Sequence, residues 1–211
     1  MSAREAAVLF DMDGVLVHSR EAWFRLMEEC GRVFRGTPIT REEFTPTFGQ
    51  STREDVEVFG LGCTVEELDR FYAENFRCFT REVVVNPDAR PVLELLRGQG
   101  RALAVVTNTA TSLASDILED AGLRGLFDFI ACSDQVTRPK PAPDLVLHAL
   151  EALGHPAASA CMVGDSRFDR SAARAAGVRF IGLGLEGDTR IERLTSLEEV
   201  LGPRGFLSEI F

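Results

Sequence analysis

The sequence contains almost no lysine. Of its 23 basic residues, all except Lys140 are arginine, and 33 acidic residues give the chain a net charge of −10. A strongly acidic chain is repelled by the phosphates of nucleic acids and by anionic membrane surfaces. We therefore expect neither nucleic acid nor a membrane as a partner. The composition also makes Lys140 unusual enough to be considered individually.

Long hydrophobic runs and paired cysteines are missing as well. No apolar run approaches the roughly 18 residues that indicate a membrane span, and residues 1–5 lead into the first predicted strand without the features of a secretory leader. The five cysteines are an odd number without Cys-x-x-Cys spacing, which argues against a zinc site and a disulfide framework. These absences predict a cytoplasmic protein. The cysteines are Cys30, Cys63, Cys78, Cys132 and Cys161.

From residue 88 onward, short apolar runs alternate with amphipathic helical stretches. With 211 residues, 45% of them hydrophobic, the chain can form one domain with a smaller insert. Strands are predicted at 6–9, 102–106, 127–132, 160–163 and 178–181. Helices are predicted at 89–98, 111–121, 143–153, 168–176 and 196–201. This alternation predicts an α/β fold with a parallel sheet covered on both faces.

Residues 19–82 have helical spacing throughout and interrupt this alternation. Shorter helices are predicted at 40–47 and 52–59, and Thr64 with Glu67 forms a capping box for a later helix. The segment therefore predicts a small helical bundle inserted after the first strand. Its joints are expected near 15–18 and 82–88.

Two acidic residues, Asp11 and Asp13, directly follow the first strand and precede Gly14. Extended geometry would point both side chains to one side, and ligands bind beyond the carboxyl ends of strands in open α/β sheets. Such a pair can bind a divalent metal, attack an electrophile or move a proton. A plain surface turn is the alternative. A calcium loop is excluded because the apolar run 15–17 replaces the further oxygen ligands.

Polar residues follow the other predicted strands too. Thr107 and Asn108 come after one strand, where a hydroxyl and a backbone N–H can hold an anion. Asp165 comes after another strand, where it can join Asp11 around a metal. Each residue taken singly is as consistent with a helix cap or a turn. Their common position at one edge of the sheet favours a site.

Lys140 falls between these segments, in Arg138-Pro139-Lys140-Pro141. A compact ammonium group reaches a carboxylate and a phosphoryl oxygen together where a planar guanidinium is too large. The alternative is an accident of an arginine-rich composition.

These residues together resemble the haloacid dehalogenase (HAD) superfamily of phosphohydrolases, over almost the whole chain. The four motifs appear in order as Asp11-Met12-Asp13-Gly14-Val15, Val106-Thr107-Asn108, Lys140-Pro141 and Gly164-Asp165-Ser166-x-x-Asp169. Their flanks look most like the phosphoglycolate phosphatase and β-phosphoglucomutase branch. The resemblance implies a Rossmann-like parallel-sheet core at 1–17 and 84–211, with a helical cap domain at 18–83.

The resemblance also implies catalytic roles. Asp11 would be the nucleophile that forms an aspartyl-phosphate. Asp13 would protonate the leaving oxygen and then activate water. Thr107, Lys140 and the backbone N–H of Asn108 would hold the phosphoryl group.

The cofactor implied by the resemblance is Mg²⁺. Its ligands would be the Asp11 carboxylate, the Asp13 backbone carbonyl and Asp165, with Asp169 beside them or directly behind. Magnesium suits such a site because it accepts few carboxylates, several waters and a substrate phosphate.

The implied function is a Mg²⁺-dependent phosphatase acting on a small phosphorylated metabolite of the phosphoglycolate or sugar-phosphate type. We expect a monomer or a homodimer. A phosphomutase is one alternative, although Trp23 stands where that subgroup carries a histidine. A non-catalytic phosphate-binding protein of the same fold is another. His18 departs from the aspartate of many relatives, which leaves the cap hinge open.

Two further segments have predicted roles. Gln50, Ser51 and Arg53 lie at an interhelical turn of the cap and are candidates for substrate contact, a solvated turn being the alternative. Residues 182–187 match a dinucleotide fingerprint, but they follow the last predicted strand rather than the first. We interpret them as a flexible loop at the rim of the site.

The cap aromatics Phe71, Tyr72, Phe76 and Phe79 are expected to form the cap core.

Overall fold

The computed structural model describes residues 5–203 and consists of a parallel sheet between helices with a helical insert. Residues 1–4 and 204–211, which the predicted core domain includes, lie outside the described residues. The strands are β1 (Ala7–Phe10), β2 (Val17–His18), β3 (Val84–Val85), β4 (Ala102–Val106), β5 (Phe129–Ala131), β6 (Ala160–Gly164), β7 (Arg179–Leu183) and β8 (Thr189–Ile191). The helices are α1 (Arg20–Cys30), α2 (Arg41–Phe44), α3 (Thr52–Phe59), α4 (Val65–Asn75), α5 (Ala89–Gly98), α6 (Thr111–Asp120), α7 (Asp144–Leu153), α8 (Arg167–Ala175) and α9 (Leu197–Leu201).

The central strand, β1, explains the position of the predicted site. The main sheet has the order β5-β4-β1-β6-β7-β8, and all of its pairs are parallel. All four residues of β1 are buried, as expected for a strand with helices on both faces. Leu9 belongs to the hydrophobic cluster that includes the side chains of α7, and Phe10 belongs to the one that includes those of α5. The predicted parallel α/β sheet with two covered faces is confirmed.

The strand and helix predictions for the core are confirmed in number and order up to residue 183, with small shifts at the ends. The strand predicted at 127–132 is shorter, because residues 127 and 128 belong to the turn before β5. Residues 178–181 form the last strand that was predicted, and the structure adds β8, which pairs with β7. β8 has only three residues at a sheet edge, too few for an alternating pattern to be recognised.

The glycine-rich segment 182–187 comprises the end of β7 and a closely packed turn toward β8, and its flexibility stays a prediction. A Cβ added at Gly182 would lie 2.0 Å from the carbonyl oxygen of Leu185, and one at Gly187 would lie 2.8 Å from the Phe180 ring. The glycines are therefore required for close backbone packing. Close backbone packing therefore explains the glycines of the fingerprint, and a bound dinucleotide is not needed to explain them.

The helical cap is built as predicted from short helices with side-chain caps. Thr64 and Glu67 form the predicted capping box, and equivalent boxes begin α2 and α3. α1 packs against the 3₁₀ segment Phe76–Glu82, and α3 packs against α4. The cap aromatics pack together, with the Trp23 ring 5.0 Å from that of Phe76.

The two joints of the cap pair with each other. β2 and β3 form a two-stranded antiparallel ribbon in which Val17 lies opposite Val85 and His18 opposite Val84. His18 is exposed. The division into a core domain (1–17 and 84–211) and a cap domain (18–83) stays a prediction, and this ribbon at both boundaries supports it.

Asn86 connects the second joint to the first. Its backbone N–H donates to the Leu16 carbonyl at 3.0 Å, and its Nδ2 donates to the Val15 carbonyl at 2.8 Å. Its Oδ1 accepts from the N–H of Asp88 at 3.0 Å, and the residue is buried. The side chain therefore closes the base of the cap.

We expect Asn86→Ala to reduce the free energy of unfolding by about 1–3 kcal/mol, because it leaves a buried carbonyl without a partner. Urea unfolding measures this loss. The matched control is Asn75→Ala, which removes a half-buried amide that donates to the Phe71 carbonyl of its own helix. An equal loss in both variants would contradict a special role for Asn86.

Candidate active site

Three neighbouring strands end at one edge of the sheet and bring the predicted residues together. Phe10 lies opposite Val105 on one side and Val163 on the other. Asp11 follows β1, and its N–H donates to the Val163 carbonyl at 2.9 Å. Thr107 follows β4, and Asp165 follows β6. The predicted gathering of polar groups at the carboxyl edge is thus present.

The single lysine lies at the centre of this edge. Lys140 is 2% exposed, and its Nζ donates to Asp11 Oδ1 at 2.7 Å, to Asp169 Oδ1 at 2.7 Å and to the Val106 carbonyl at 2.9 Å. All three ammonium hydrogens are used. A buried charge is costly unless it is paired and hydrogen-bonded, and this arrangement meets both conditions. Contact of Lys140 with a phosphoryl group stays a prediction.

Lys140 and Asp11 both have raised pKa values. Burial by itself lowers the pKa of Lys140, but Asp11 and Asp169 raise it further, so the pKa lies above its usual value and the ammonium stays charged. Burial, reinforced by Asp169, raises the pKa of Asp11 well above its ordinary range, and Lys140 opposes this shift. One ammonium is therefore too little positive charge for this group of acids.

Asp11, Asp165 and Asp169 form a set that fits a divalent cation. Each places a carboxylate oxygen within 4.8 Å of the others. Within residues 5–203, Asp165 Oδ1 is buried without a hydrogen-bond partner, and burial followed by the charge of Asp169 raises the pKa of Asp165 to about 7. Oxygen donors of this kind suit Mg²⁺.

Gly14 permits the close approach that this set requires. Its φ is +93°, and a Cβ added there would lie 2.1 Å from Asp165 Oδ2. Any side chain at residue 14 would therefore displace the Asp165 carboxylate. The glycine of the first motif is thus explained by both backbone conformation and space.

Asp169 is held on both of its oxygens. Oδ1 accepts from Lys140, and Oδ2 accepts from the Ser166 N–H at 3.0 Å and from Ser166 Oγ at 2.6 Å. Ser166 in turn caps α8 by accepting from the Asp169 N–H. These contacts favour a position directly behind the metal for Asp169, one of the two that were predicted.

Asp13 receives three side-chain hydrogen bonds. Ser19 Oγ and Trp23 Nε1 donate to Oδ1 at 2.5 and 2.9 Å, and Thr109 Oγ1 donates to Oδ2 at 3.1 Å. Burial raises the pKa of Asp13 even though these three donors lower it. Ser19 and Thr109 were not predicted from the sequence. Thr109 had a signal, since it directly follows the second motif, whereas Ser19 had none.

The side chains of the second motif make contacts that the sequence did not predict. The Asn108 side chain donates to the carbonyls of Lys140 at 2.9 Å and Gly49 at 3.0 Å, and it accepts from the Lys140 N–H at 2.9 Å. Thr107 Oγ1 accepts from the Thr109 N–H at 3.1 Å. Asn108 therefore joins the lysine loop to the cap, while its backbone N–H and the Thr107 hydroxyl remain predicted phosphate ligands.

A cavity lies between this edge and the cap. Gln50 is on its wall, together with Asp55 and Tyr72. Its remaining lining residues are Asp11, Asp13, Trp23, Met27, Phe44, Thr47, Phe48, Gly49, Thr107, Asn108, Thr109 and Lys140. The cavity thus lies between the carboxyl edge of the sheet and a cap surface of aromatic and polar residues.

Of the three cap residues that were predicted to contact substrate, one lines the cavity and two do not. Gln50 lines the cavity. Ser51 is buried as the N-cap of α3, with its hydroxyl engaged by Glu54, and Arg53 is exposed. Neither Ser51 nor Arg53 is on the cavity wall, because the first turn of α3 carries them away from it. Tyr72, expected in the cap core, lines the cavity as well, and this role was missed.

A family model for haloacid dehalogenase-like hydrolases matches residues 8–183. The chain belongs to this family. It is 39% identical over 191 residues to the phosphoglycolate phosphatase of Neisseria meningitidis, which covers 84% of this chain and 79% of the relative. It is 29% identical over 180 residues to a phosphorylated carbohydrates phosphatase of Thermotoga maritima, covering 83% of each.

Solved structures of this family share the fold. The structure of CbbY from Rhodobacter sphaeroides in complex with phosphate superposes with a TM-score of 0.80 at 25% identity, covering 92% of this chain and 96% of that one. The predicted family is therefore confirmed, and with it the enzyme class, a hydrolase of phosphoric monoesters. Among the described residues of this haloacid dehalogenase-like hydrolase, no helix is long and apolar enough to cross a membrane.

Asp55 is the acidic residue at the cap end of the cavity. Burial raises its pKa to about 7, although hydrogen bonds from Gln50 and Tyr72 lower it. A carboxyl group with a higher pKa in the folded than in the unfolded chain stabilises the fold at low pH. This contribution is lost as the pH rises from about 4 through about 7.

We therefore expect Asp55→Asn, which cannot ionise, to gain thermal stability relative to the wild type as the pH rises from about 5 to about 8. Melting temperatures across this interval measure the effect. The control is Asp120→Asn, because Asp120 is exposed. Parallel pH curves for the wild type and Asp55→Asn would contradict the raised pKa.

Proposed function

We propose that this hydrolase is a Mg²⁺-dependent phosphatase that acts on a small phosphorylated metabolite through an aspartyl-phosphate on Asp11. The observation that carries the proposal is the buried contact of Lys140 with Asp11 and Asp169, with the unpartnered Asp165 oxygen beside it. The phosphatase names of the relatives and the phosphate in the CbbY complex support it.

In the first step, an Asp11 carboxylate oxygen attacks phosphorus and the bond to the leaving alcohol oxygen breaks. Lys140 fixes the carboxylate through Oδ1. Asp13 gives its proton to the leaving oxygen, which its burial and raised pKa favour. The products of this step are the free alcohol and a phosphoryl group bound to Asp11.

In the second step, Asp13 takes a proton from water, and the resulting hydroxide attacks the same phosphorus. The bond between phosphorus and Asp11 breaks, so inorganic phosphate leaves and the carboxylate is restored. Thr107 and the Asn108 N–H hold the phosphoryl oxygens in both steps, and Lys140 acts on these oxygens through its positive charge, since its three hydrogens are used by Asp11, Asp169 and the Val106 carbonyl. Such positioning and charge stabilisation supply most of the catalysis in phosphoryl transfer.

The Asp11 and Asp165 carboxylates and the Asp13 backbone carbonyl would hold Mg²⁺, with Asp169 directly behind them. The ion, when bound, supplies positive charge to the transferring phosphoryl group. The three ionised carboxylates and Lys140 carry a net charge of −2, which a divalent cation neutralises. This balance is consistent with the raised pKa values of Asp11 and Asp165.

The alternatives have less support. A mutase needs a proton carrier near the cap, but Trp23 has only an N–H, and this donates to Asp13. A non-catalytic binding protein would not require a nucleophile in contact with a buried lysine. A cytoplasmic location and a monomeric or homodimeric state stay predictions.

The experiment that tests the function is hydrolysis of p-nitrophenyl phosphate with Mg²⁺ and with EDTA. We expect turnover that needs Mg²⁺ and falls by at least about a thousandfold in Asp11→Asn, because a carboxamide is not a nucleophile. Asp120→Asn is the surface control. Near wild-type turnover in Asp11→Asn would rule out the aspartyl-phosphate.

The two roles of Asp13 predict a distinct kinetic signature. p-Nitrophenolate leaves without protonation, so Asp13→Asn retains the first step with this substrate but loses activation of water in the second. We expect a burst of about one equivalent of p-nitrophenolate per enzyme, followed by slow turnover. Stopped-flow absorbance measures the burst. Slow turnover without a burst would place the defect in the first step instead.

A further inference from the structure

Among the described residues, those that line the cap end of the cavity include one acidic side chain and no basic one. Among the described lining residues, Lys140 is the only cation, and its three hydrogens are used at the catalytic edge. Asp55 is the only charged lining residue contributed by the cap. The part of the cavity that receives the leaving alcohol is therefore acidic.

Two hydrogen bonds fix the Asp55 carboxylate. Oδ1 accepts from Gln50 Nε2 at 2.8 Å, and Oδ2 accepts from the Tyr72 hydroxyl at 2.9 Å. Each carboxylate oxygen can accept more than one hydrogen bond, so both retain capacity for a donor on the substrate. A hydrogen-bond donor on the substrate would be the third partner of the Asp55 carboxylate, which the other two bonds already orient.

Four aromatic side chains line the same cavity as this carboxylate: Trp23, Phe44, Phe48 and Tyr72. The Trp23 and Tyr72 rings meet edge to face with centroids 5.3 Å apart, and those of Phe44 and Phe48 are 5.8 Å apart. Aromatic faces next to a carboxylate attract an ammonium group. A substrate carboxylate would instead meet Asp55 in an environment of low dielectric, where like charges repel strongly.

Arg20 is the nearby cation that could reverse this conclusion. Its guanidinium lies 4.5 Å from the centre of the Phe48 ring, but the residue is exposed and does not line the cavity. Its charge lowers the pKa of Asp165. For Asp55, the largest influences on the pKa after burial come from Gln50, Tyr72, Glu54 and Asp69, and Arg20 is not among them.

Building on the proposed function, we propose that this site selects the phosphate ester of an alcohol whose far end is a hydrogen-bond donor. An ammonium group is preferred over a hydroxyl, and a carboxylate is discriminated against. Gln50, Asp55 and Tyr72 form the recognition surface. This places the substrate outside the class named for the Neisseria relative, since phosphoglycolate ends in a carboxylate.

Three two-carbon esters of equal length test the proposal: phosphoethanolamine, 2-hydroxyethyl phosphate and phosphoglycolate. Each competes against p-nitrophenyl phosphate at about pH 8, where Asp55 is ionised. We expect phosphoethanolamine to compete at least about tenfold better than phosphoglycolate, with the hydroxyl ester between them.

Asp55→Asn is expected to reduce this preference by about tenfold, because the charge is lost while the shape is kept. Asp69→Asn is the control, since Asp69 is a half-buried cap acid bonded to Thr52 that does not line the cavity. It should leave the preference unchanged. Arg20→Gln tests the rival cation, and a selective loss of phosphoglycolate binding there would overturn the proposal.

The two proposals fail differently. Absence of Mg²⁺-dependent p-nitrophenyl phosphate hydrolysis would overturn the phosphatase itself. Normal hydrolysis with phosphoglycolate competing as well as or better than phosphoethanolamine would overturn only the substrate class. Absence of competition by all three esters would have the same meaning, because Asp55 would then recognise none of them.

Discussion

The buried contact between Lys140 and two carboxylates is the interaction on which the site depends. Removing an ammonium group and two carboxylates from water costs several kcal/mol per ion, and their attraction offsets this only with close geometry. The 2.7 Å contacts to Asp11 and Asp169 provide that geometry. The excess negative charge remains uncompensated, which the raised pKa of Asp11 reflects. This excess of negative charge favours the binding of a cation at this edge, and the bound cation in turn would favour the binding of a phosphate.

The parallel sheet brings these charges together without strain in the strands. β1, β4 and β6 are in register, so the residues that follow them begin within one residue of the same level. The remaining space is set by two glycines. A Cβ at Gly14 would displace Asp165, and one at Gly164 would lie 2.5 Å from the Cβ of Asp169. The strand register therefore sets the approximate positions of these carboxylates, and the lack of a side chain at Gly14 and Gly164 allows their close approach.

The fold, and the gathering of polar residues at one edge of the sheet, could be predicted from the sequence because both depend on local patterns. Apolar runs defined the strands, and a polar residue after each run marked the edge. The contacts of the cap could not be predicted in this way. Ser19 reaches Asp13 because the turn at residues 14–16 brings the chain back toward it, and Tyr72 lines the cavity through the packing of α4 against α1. β8 was too short for its pattern to be recognised.

The hydrogen bonds of Asp13 connect the chemistry to the position of the cap. Thr109 belongs to the core, whereas Ser19 and Trp23 lie at the start of the predicted cap and donate to the same oxygen. Asn108 also connects the two parts, through the Gly49 carbonyl. A cap that moved away would remove two of the three donors to Asp13. Since hydrogen bonds to a carboxylate lower its pKa, the proton affinity of Asp13 depends on whether the cap is in place.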